Sequence, residues 1–176
     1  MDPIISLRMP TPQDADLLAS LHVASWQSAY RGILPDAYLD EIAPGERLAM
    51  WKDRLAQHAS SWTRIAYLAG RPAGFACLLP DTEPARGVYL DNLHVLPEFK
   101  GHGIGRLLLA AAAAECLRIA PGRPLFLWTF AANQSACRFY QALGGTVTEQ
   151  KDTLTPAGNP QPALCFQWDD PAALTS

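Results

Sequence analysis

The chain has 176 residues, a formal net charge of −3 and a hydrophobic fraction of 49%. That is one ordinary domain, long enough to bury a core without disulfide or metal staples. The scattered basic residues exclude a nucleic-acid surface, and no run approaches the ~18 apolar residues of a membrane-spanning helix.

Ile4 to Arg8 alternates and predicts a short strand. Thr11-Pro12 opens a helix, with Thr11 as N-cap and Pro12 at the first helical position. Leu17, Leu18, Leu21, Trp26 and Tyr30 supply its apolar faces until Arg31-Gly32 ends it near Tyr30. Pro35 to Glu41 predicts a short second helix, and a third follows Pro44-Gly45 with Leu48, Trp51 and Leu55. Trp62 to Ala69 and Ala73 to Leu79 read as a hairpin about the turn Gly70-Arg71-Pro72. Pro80 to Gly87 is a loop, and Val88 to Val95 a strand whose alternation puts Tyr89, Asp91 and Leu93 on one side.

Ile104 to Ile119 is an alanine-rich helix, stopped by Pro121-Gly122. Leu125 to Phe130 is a continuous apolar strand, buried on both faces. Asn133 to Leu143 is an amphipathic helix ended by Gly144-Gly145. Thr146 to Lys151 and Leu164 to Trp168 are the last strands, joined by a loop from Pro156 to Pro162. Hairpins mixed with helical crossovers predict a mixed α/β fold.

Cys77, Cys116, Cys137 and Cys165 lie far apart and form no CxxC pair, so they read as small buried apolar side chains. His22, His58, His94 and His102 have no metal-ligand spacing, and no metal is expected. The opening MDPIISLRMP lacks a basic segment followed by an apolar core, so no secretory leader is expected. A cytoplasmic protein without membrane or nucleic-acid partners follows.

The most informative stretch is Val88 to Leu109, VYLDNLHVLPEFKGHGIGRLLL. Gly101, Gly103 and Gly105 fall at alternate positions just before a strong helical run. Such a loop exposes backbone N–H groups, and the helix it opens leaves its first N–H groups unpaired and adds partial positive charge. These features suit a phosphate or pyrophosphate. A P-loop would need Gly-Lys-Ser/Thr, whereas Gly105 is followed by Arg106-Leu107. The glycine spacing is also wrong for a dinucleotide fold.

Lys100-Gly101-His102-Gly103-Ile104-Gly105, preceded by Val95-Leu96-Pro97-Glu98, resembles the signature of the GNAT N-acetyltransferase superfamily. Asn133-Gln134-Ser135-Ala136-Cys137-Arg138-Phe139-Tyr140-Gln141-Ala142-Leu143-Gly144 resembles that family's second motif, in the expected order. The resemblance covers roughly residues 62–168, and the helices at 12–57 match the variable substrate-side segment. Two positions depart from the pattern. Lys100 stands where Arg or Gln is commoner, and Gly145 where Phe is usual, a change expected to loosen local packing.

The resemblance implies one domain with a central mixed, mostly antiparallel sheet of about seven strands flanked by helices. Residues 88–145 would form the acetyl-CoA-binding core, and a homodimer is possible. The implied reaction is direct transfer of the acetyl group of acetyl-CoA to an amine of a small molecule or peptide. The alternative is a non-catalytic CoA-binding sensing module. Lys100, Gly101, His102, Gly103, Ile104, Gly105 and Arg106 match the pyrophosphate loop. Main-chain groups of Leu93, His94 and Val95 match the positions that face the thioester, where backbone donors stabilise developing negative charge. Tyr140 matches the general acid, a phenol protonated at neutral pH. Asp91 is the candidate base, with Glu41, Glu83 and His94 behind it. A structural or amine-anchoring role for Asp91 stays open. Asn133 is both a helix cap and a cofactor contact by resemblance. Trp26, Tyr30 and Tyr38 form an aromatic cluster that suits either an amine or a helix–helix core.

Overall fold

The computed structural model describes residues 4–57 and 61–176, and His58 lies outside them. Seven strands form one sheet: β1 (Ile5–Arg8), β2 (Trp62–Leu68), β3 (Arg71–Leu79), β4 (Val88–Val95), β5 (Leu125–Phe130), β6 (Thr146–Leu154) and β7 (Pro160–Trp168). Their spatial order is β1-β2-β3-β4-β5-β7-β6. Among the described residues only β4 and β5 run as parallel neighbours, because the helix between them carries the chain back across the sheet. The expected mixed, mostly antiparallel sheet is what forms.

Four helices cover it: α1 (Ala15–Ala29), α2 (Ala43–Ala56), α3 (Ile104–Ile119) and α4 (Gln134–Ala142). Successive residues of β3 serve opposite faces. Phe75 and Cys77 join Leu18, Leu21 and Trp51 of α1 and α2 in one core. Ala76 and Leu78 join Leu108, Leu109 and Ala112 of α3 in the other, which also takes Tyr140 of α4. Cys77, Cys116 and Cys165 are buried and Cys137 is half-buried, all as free thiols.

Asp14 anchors the first turn by accepting hydrogen bonds from the Thr11 N–H (2.7 Å) and the Thr11 hydroxyl (3.0 Å). The expected second and third helices are instead one rod from residue 36 to 56. A π-turn, Tyr38–Ile42, precedes α2, with the Ala43 N–H reaching back to the Tyr38 carbonyl. This wider turn accommodates Pro44, which has no N–H to give an α-helical ladder.

Three other boundaries differ. The β2–β3 turn is Ala69-Gly70, so Arg71 already belongs to β3. Both final strands are longer than their apolar stretches, because backbone pairing continues from Lys151–Ala163 to Leu154–Pro160. The turn between them and the start of β7 reach back to the segment after α1, where the side-chain amides of Asn159 and Gln161 donate to the Ile33 carbonyl at 3.0 and 3.3 Å.

Gly145 does not loosen packing. A Cβ there would stand 2.7 Å from the Trp168 ring and 3.0 Å from the Tyr140 carbonyl. The Trp168 indole fills the space and donates to the Leu143 carbonyl at 2.9 Å. No helix among the described residues is long and apolar enough to cross a membrane.

Candidate functional site

Two cavities flank the end of β4. The first, of about 380 Å³, extends from the glycine loop past Leu93, His94 and Val95 to Asn133, Phe139 and Tyr140. The loop follows a 3₁₀ turn at Pro97–Phe99. Gly101 (φ 83°) and Gly103 (φ 80°) both adopt the left-handed conformation, which costs any other L-residue about 1 kcal/mol or more. The Leu107 N–H donates to the Gly103 carbonyl at 3.0 Å, so the preceding N–H groups of α3 have no intrahelical acceptor. Lys100 and Arg106 line the same end of the cavity. The His102 ring does not, lying instead 3.2 Å from the Phe99 and Lys100 carbonyls. His102 therefore offers this loop only its main chain.

The cavity continues along a split in the sheet. β4 and β5 pair only at Val88–Leu125 and Tyr89–Phe126. Beyond Tyr89 they part, so the edge of Leu93, His94 and Val95 facing β5 carries no ladder. Asn133 sits at the mouth of α4, its side-chain oxygen accepting from the Ala136 N–H at 3.3 Å. It is thus a cap that also lines the cavity.

Tyr140 is 6% exposed, its ring packed against Phe139, Phe166 and Trp168. Its hydroxyl has no hydrogen-bond partner among the described residues. Burial first, then the nearby Tyr30 and Cys137, pushes its pKa well above the ordinary tyrosine value. The phenol stays protonated across the neutral range.

The second cavity, of about 310 Å³, lies on the other side of His94 between α1, α2, β4, β5 and the β6–β7 turn. Asp91 lines it, but not beside Leu93 as alternation suggests. Cys77 pairs with Asn92 and Leu78 with Leu90, which leaves Asp91 as the extra residue of a β-bulge. The bulge resets the alternation, and Leu93 packs with the α3–α4 core instead. Arg54 of α2 donates to Asp91 Oδ2 at 2.8 Å, as does the Asn92 amide at 2.6 Å. Both of these bonds go to Oδ2, and the Tyr89 hydroxyl lies beside the same carboxylate.

His94 lines both cavities. Burial, reinforced by Lys100, lowers its pKa to about 4, so its imidazole is neutral at neutral pH. Trp26 and Tyr30 line the second cavity, but both also pack in the core with Ile33, Leu34 and Tyr38, and Tyr30 packs edge-on against Phe130. Burial, then Asp91, raises Tyr30 to about 12. Tyr38 lines neither cavity. It is buried beside Leu34, Leu39 and Ala43 and donates its hydroxyl to Glu46, so it packs the helices of the π-turn.

Several lining residues carry no local sequence signal. Ser25, Ser28 and Ala29 of α1 reach the first cavity. His22, Arg47 and Arg54 reach the second. The spacing of Arg47 and Arg54, two turns apart on one helix face, is the single trace of them in the sequence.

The chain and its fold are similar to known proteins. The chain is 28% identical over 141 residues to "Probable N-acetyltransferase Rv2775" of Mycobacterium tuberculosis, covering 78% of this chain and 77% of the relative. It is 28% identical over 179 residues to "Uncharacterized N-acetyltransferase YuaI" of Bacillus subtilis, covering 97% and 96%. The fold matches the PaiA N-acetyltransferase of Thermoplasma acidophilum, solved in complex with coenzyme A. The TM-score is 0.75 at 18% identity, over 94% of this chain and 99% of that one. The model of the acetyltransferase (GNAT) family matches residues 22–145, well over half the chain. The chain belongs to the acetyltransferase (GNAT) family and is an acetyltransferase.

Proposed function

We propose that this enzyme moves the acetyl group of acetyl-CoA to the amine of a small molecule or peptide, with the donor in the first cavity and the acceptor in the second. The observation that carries this reading is the pair of cavities meeting at His94, with Tyr140 on one side and Asp91 on the other. Residues 88–145 supply the donor side, and the helices within residues 12–57 wall the acceptor side.

The residues present fit acetyl-CoA. Unpaired N–H groups at the start of α3, with Lys100 and Arg106, suit its pyrophosphate. The open edge of β4 suits an extended, amide-bearing arm, and the long cavity leads from that loop to Tyr140. When bound, acetyl-CoA supplies an activated acetyl group on a thioester. Main-chain N–H groups of the Leu93–Val95 edge are placed to stabilise negative charge on an acyl oxygen. Tyr140 holds a proton for a departing thiolate. Asp91, fixed by Arg54, presents Oδ1 to an incoming amine, orients it and takes its proton directly or through a water. Trp26 and Tyr30 shape the cavity around that amine.

The test is acetyl-CoA-dependent release of free thiol across a panel of amines, with CoA binding followed by calorimetry. Release with one acceptor class supports the reading. Tight CoA binding without release on any amine would favour a sensing module, and absence of CoA binding would overturn the donor site.

A further inference from the structure

Four buried side-chain polar atoms among the described residues lack any hydrogen-bond partner: His22 Nε2, Ser25 Oγ, Arg47 Nε and Trp128 Nε1. All four belong to residues that line the two cavities. Ser25 lines the donor cavity, and the other three line the acceptor cavity.

Each of those three is a donor. An arginine Nε–H and an indole N–H can do nothing else. The His22 tautomer follows from its neighbour: the Trp51 indole N–H donates to His22 Nδ1 at 3.1 Å, so that nitrogen carries the lone pair. His22 is 1% exposed, and burial, then His94, Arg47 and Arg54, holds it well below its ordinary pKa. The ring is therefore neutral and its proton sits on Nε2. A buried donor left without an acceptor costs about 1–3 kcal/mol, so three such donors on residues that line one cavity point to a ligand that brings oxygen acceptors.

The charge of the cavity agrees. Arg54 is committed to Asp91 at 2.8 Å. Arg47 is stacked over Trp26, with its guanidinium carbon 4.7 Å from the ring centroid. Its one carboxylate contact is a long 3.7 Å approach to Glu46, whose same oxygen accepts the Tyr38 hydroxyl. With both histidines neutral and Arg54 paired with Asp91, the lining itself carries one further positive charge, Arg47, and its partner Glu46 lies outside the lining. Lys151 adds another nearby, 3.9 Å above the Trp128 ring. A polycation would be repelled here, whereas an oxyanion would satisfy donors and charge together.

We infer that the acceptor is an amine that also carries a carboxylate, namely a free amino acid with an apolar side chain. Its carboxylate is taken by Arg47, His22 and Trp128, and its amine by Asp91. Met50, Phe130, Leu154 and Pro156 offer the apolar wall. The inference rests on the acceptor role proposed for this cavity, but it can be tested without turnover.

Trp26 and Trp128 line the cavity, so tryptophan fluorescence of the CoA-loaded protein reports its filling. L-Leucine, L-methionine and L-phenylalanine are titrated against leucinamide and spermidine. At least one free amino acid is expected to bind about tenfold or more tighter than leucinamide or spermidine. Arg47→Gln should erase that margin. Trp128→Phe, which keeps an aromatic ring and removes the N–H, should narrow it severalfold should the arginine variant not fold. Leucinamide or spermidine binding as tightly as the amino acids, or no saturable binding of any of the three, would overturn the inference. Thiol release separates the two claims: amino-acid binding without release upholds the carboxylate site but overturns the amino acid as acceptor, whereas release with spermidine or leucinamide alone upholds transfer and overturns the inference.

Discussion

Replacing Tyr140 by Phe deletes one oxygen from the place where the two motifs converge. The ring would keep its contacts with Phe139, Phe166 and Trp168, whose centroids lie 5.3, 5.6 and 6.0 Å away. The lost hydroxyl has no protein partner among the described residues, so folding stability should change by no more than about 0.5 kcal/mol. For a protein of this size that is about 2 °C in Tm. Loss of a general acid costs about 10²–10⁴-fold in rate. A thiolate leaves more readily than most groups, since a thiol's reference pKa is about 8.5, so the effect belongs near 10²-fold in kcat. Burial of Tyr140 keeps it protonated through the neutral and mildly alkaline range, so kcat should show no Tyr140-dependent fall there. The assay is thiol release at saturating acetyl-CoA, with thermal unfolding in parallel. A kcat within about twofold of wild type, at unchanged Tm, would show that the proton comes from elsewhere.

Arg54→Ala strips Asp91, itself one-quarter exposed, of its guanidinium; a loss of about 1–3 kcal/mol in thermal unfolding is expected, together with a raised acceptor KM. Gly145→Ala would drive a Cβ to within 2.7 Å of Trp168; overpacking should cost about 1–3 kcal/mol, read by denaturant unfolding. His94 is held near pKa 4 against an ordinary 6.5, first by burial. The unfolded chain therefore takes up this proton first as pH falls. The contribution of His94 is complete above about 6.5 and is lost progressively as pH falls towards about 4. His94→Gln should flatten that part of the stability–pH profile, and an unchanged profile would refute the assignment.

The glycine loop and the first cavity were legible because their signals are local. Gly101 and Gly103 take the left-handed conformations that a tight loop into a helix requires, and α3 spans Ile104–Ile119 as its apolar run indicates. Asn133 caps α4 as its residue type suggests. The second cavity was less legible because it is assembled from distant elements. The bulge at Asp91 arises from β3–β4 register, which alternation within one strand cannot reveal. Pro44 reads as a helix boundary until the preceding π-turn is known. Tyr38 and Tyr30 are the same residue type on neighbouring segments, yet one packs the helices and the other lines the cavity. The orphaned donors of His22, Arg47 and Trp128 are visible only once every possible partner has a position.

The central claim is that the glycine loop at the start of α3 holds the acyl donor. Calorimetric titration of acetyl-CoA into the wild-type protein and into Gly103→Asp tests it most directly. Gly103 occupies φ 80° beside open space, so the aspartate places strain and negative charge at the proposed pyrophosphate seat without colliding with the core. One-to-one binding to the wild type, lost in a variant that still unfolds cooperatively, is the predicted result. Equal binding to both proteins, or none to the wild type, would contradict the account.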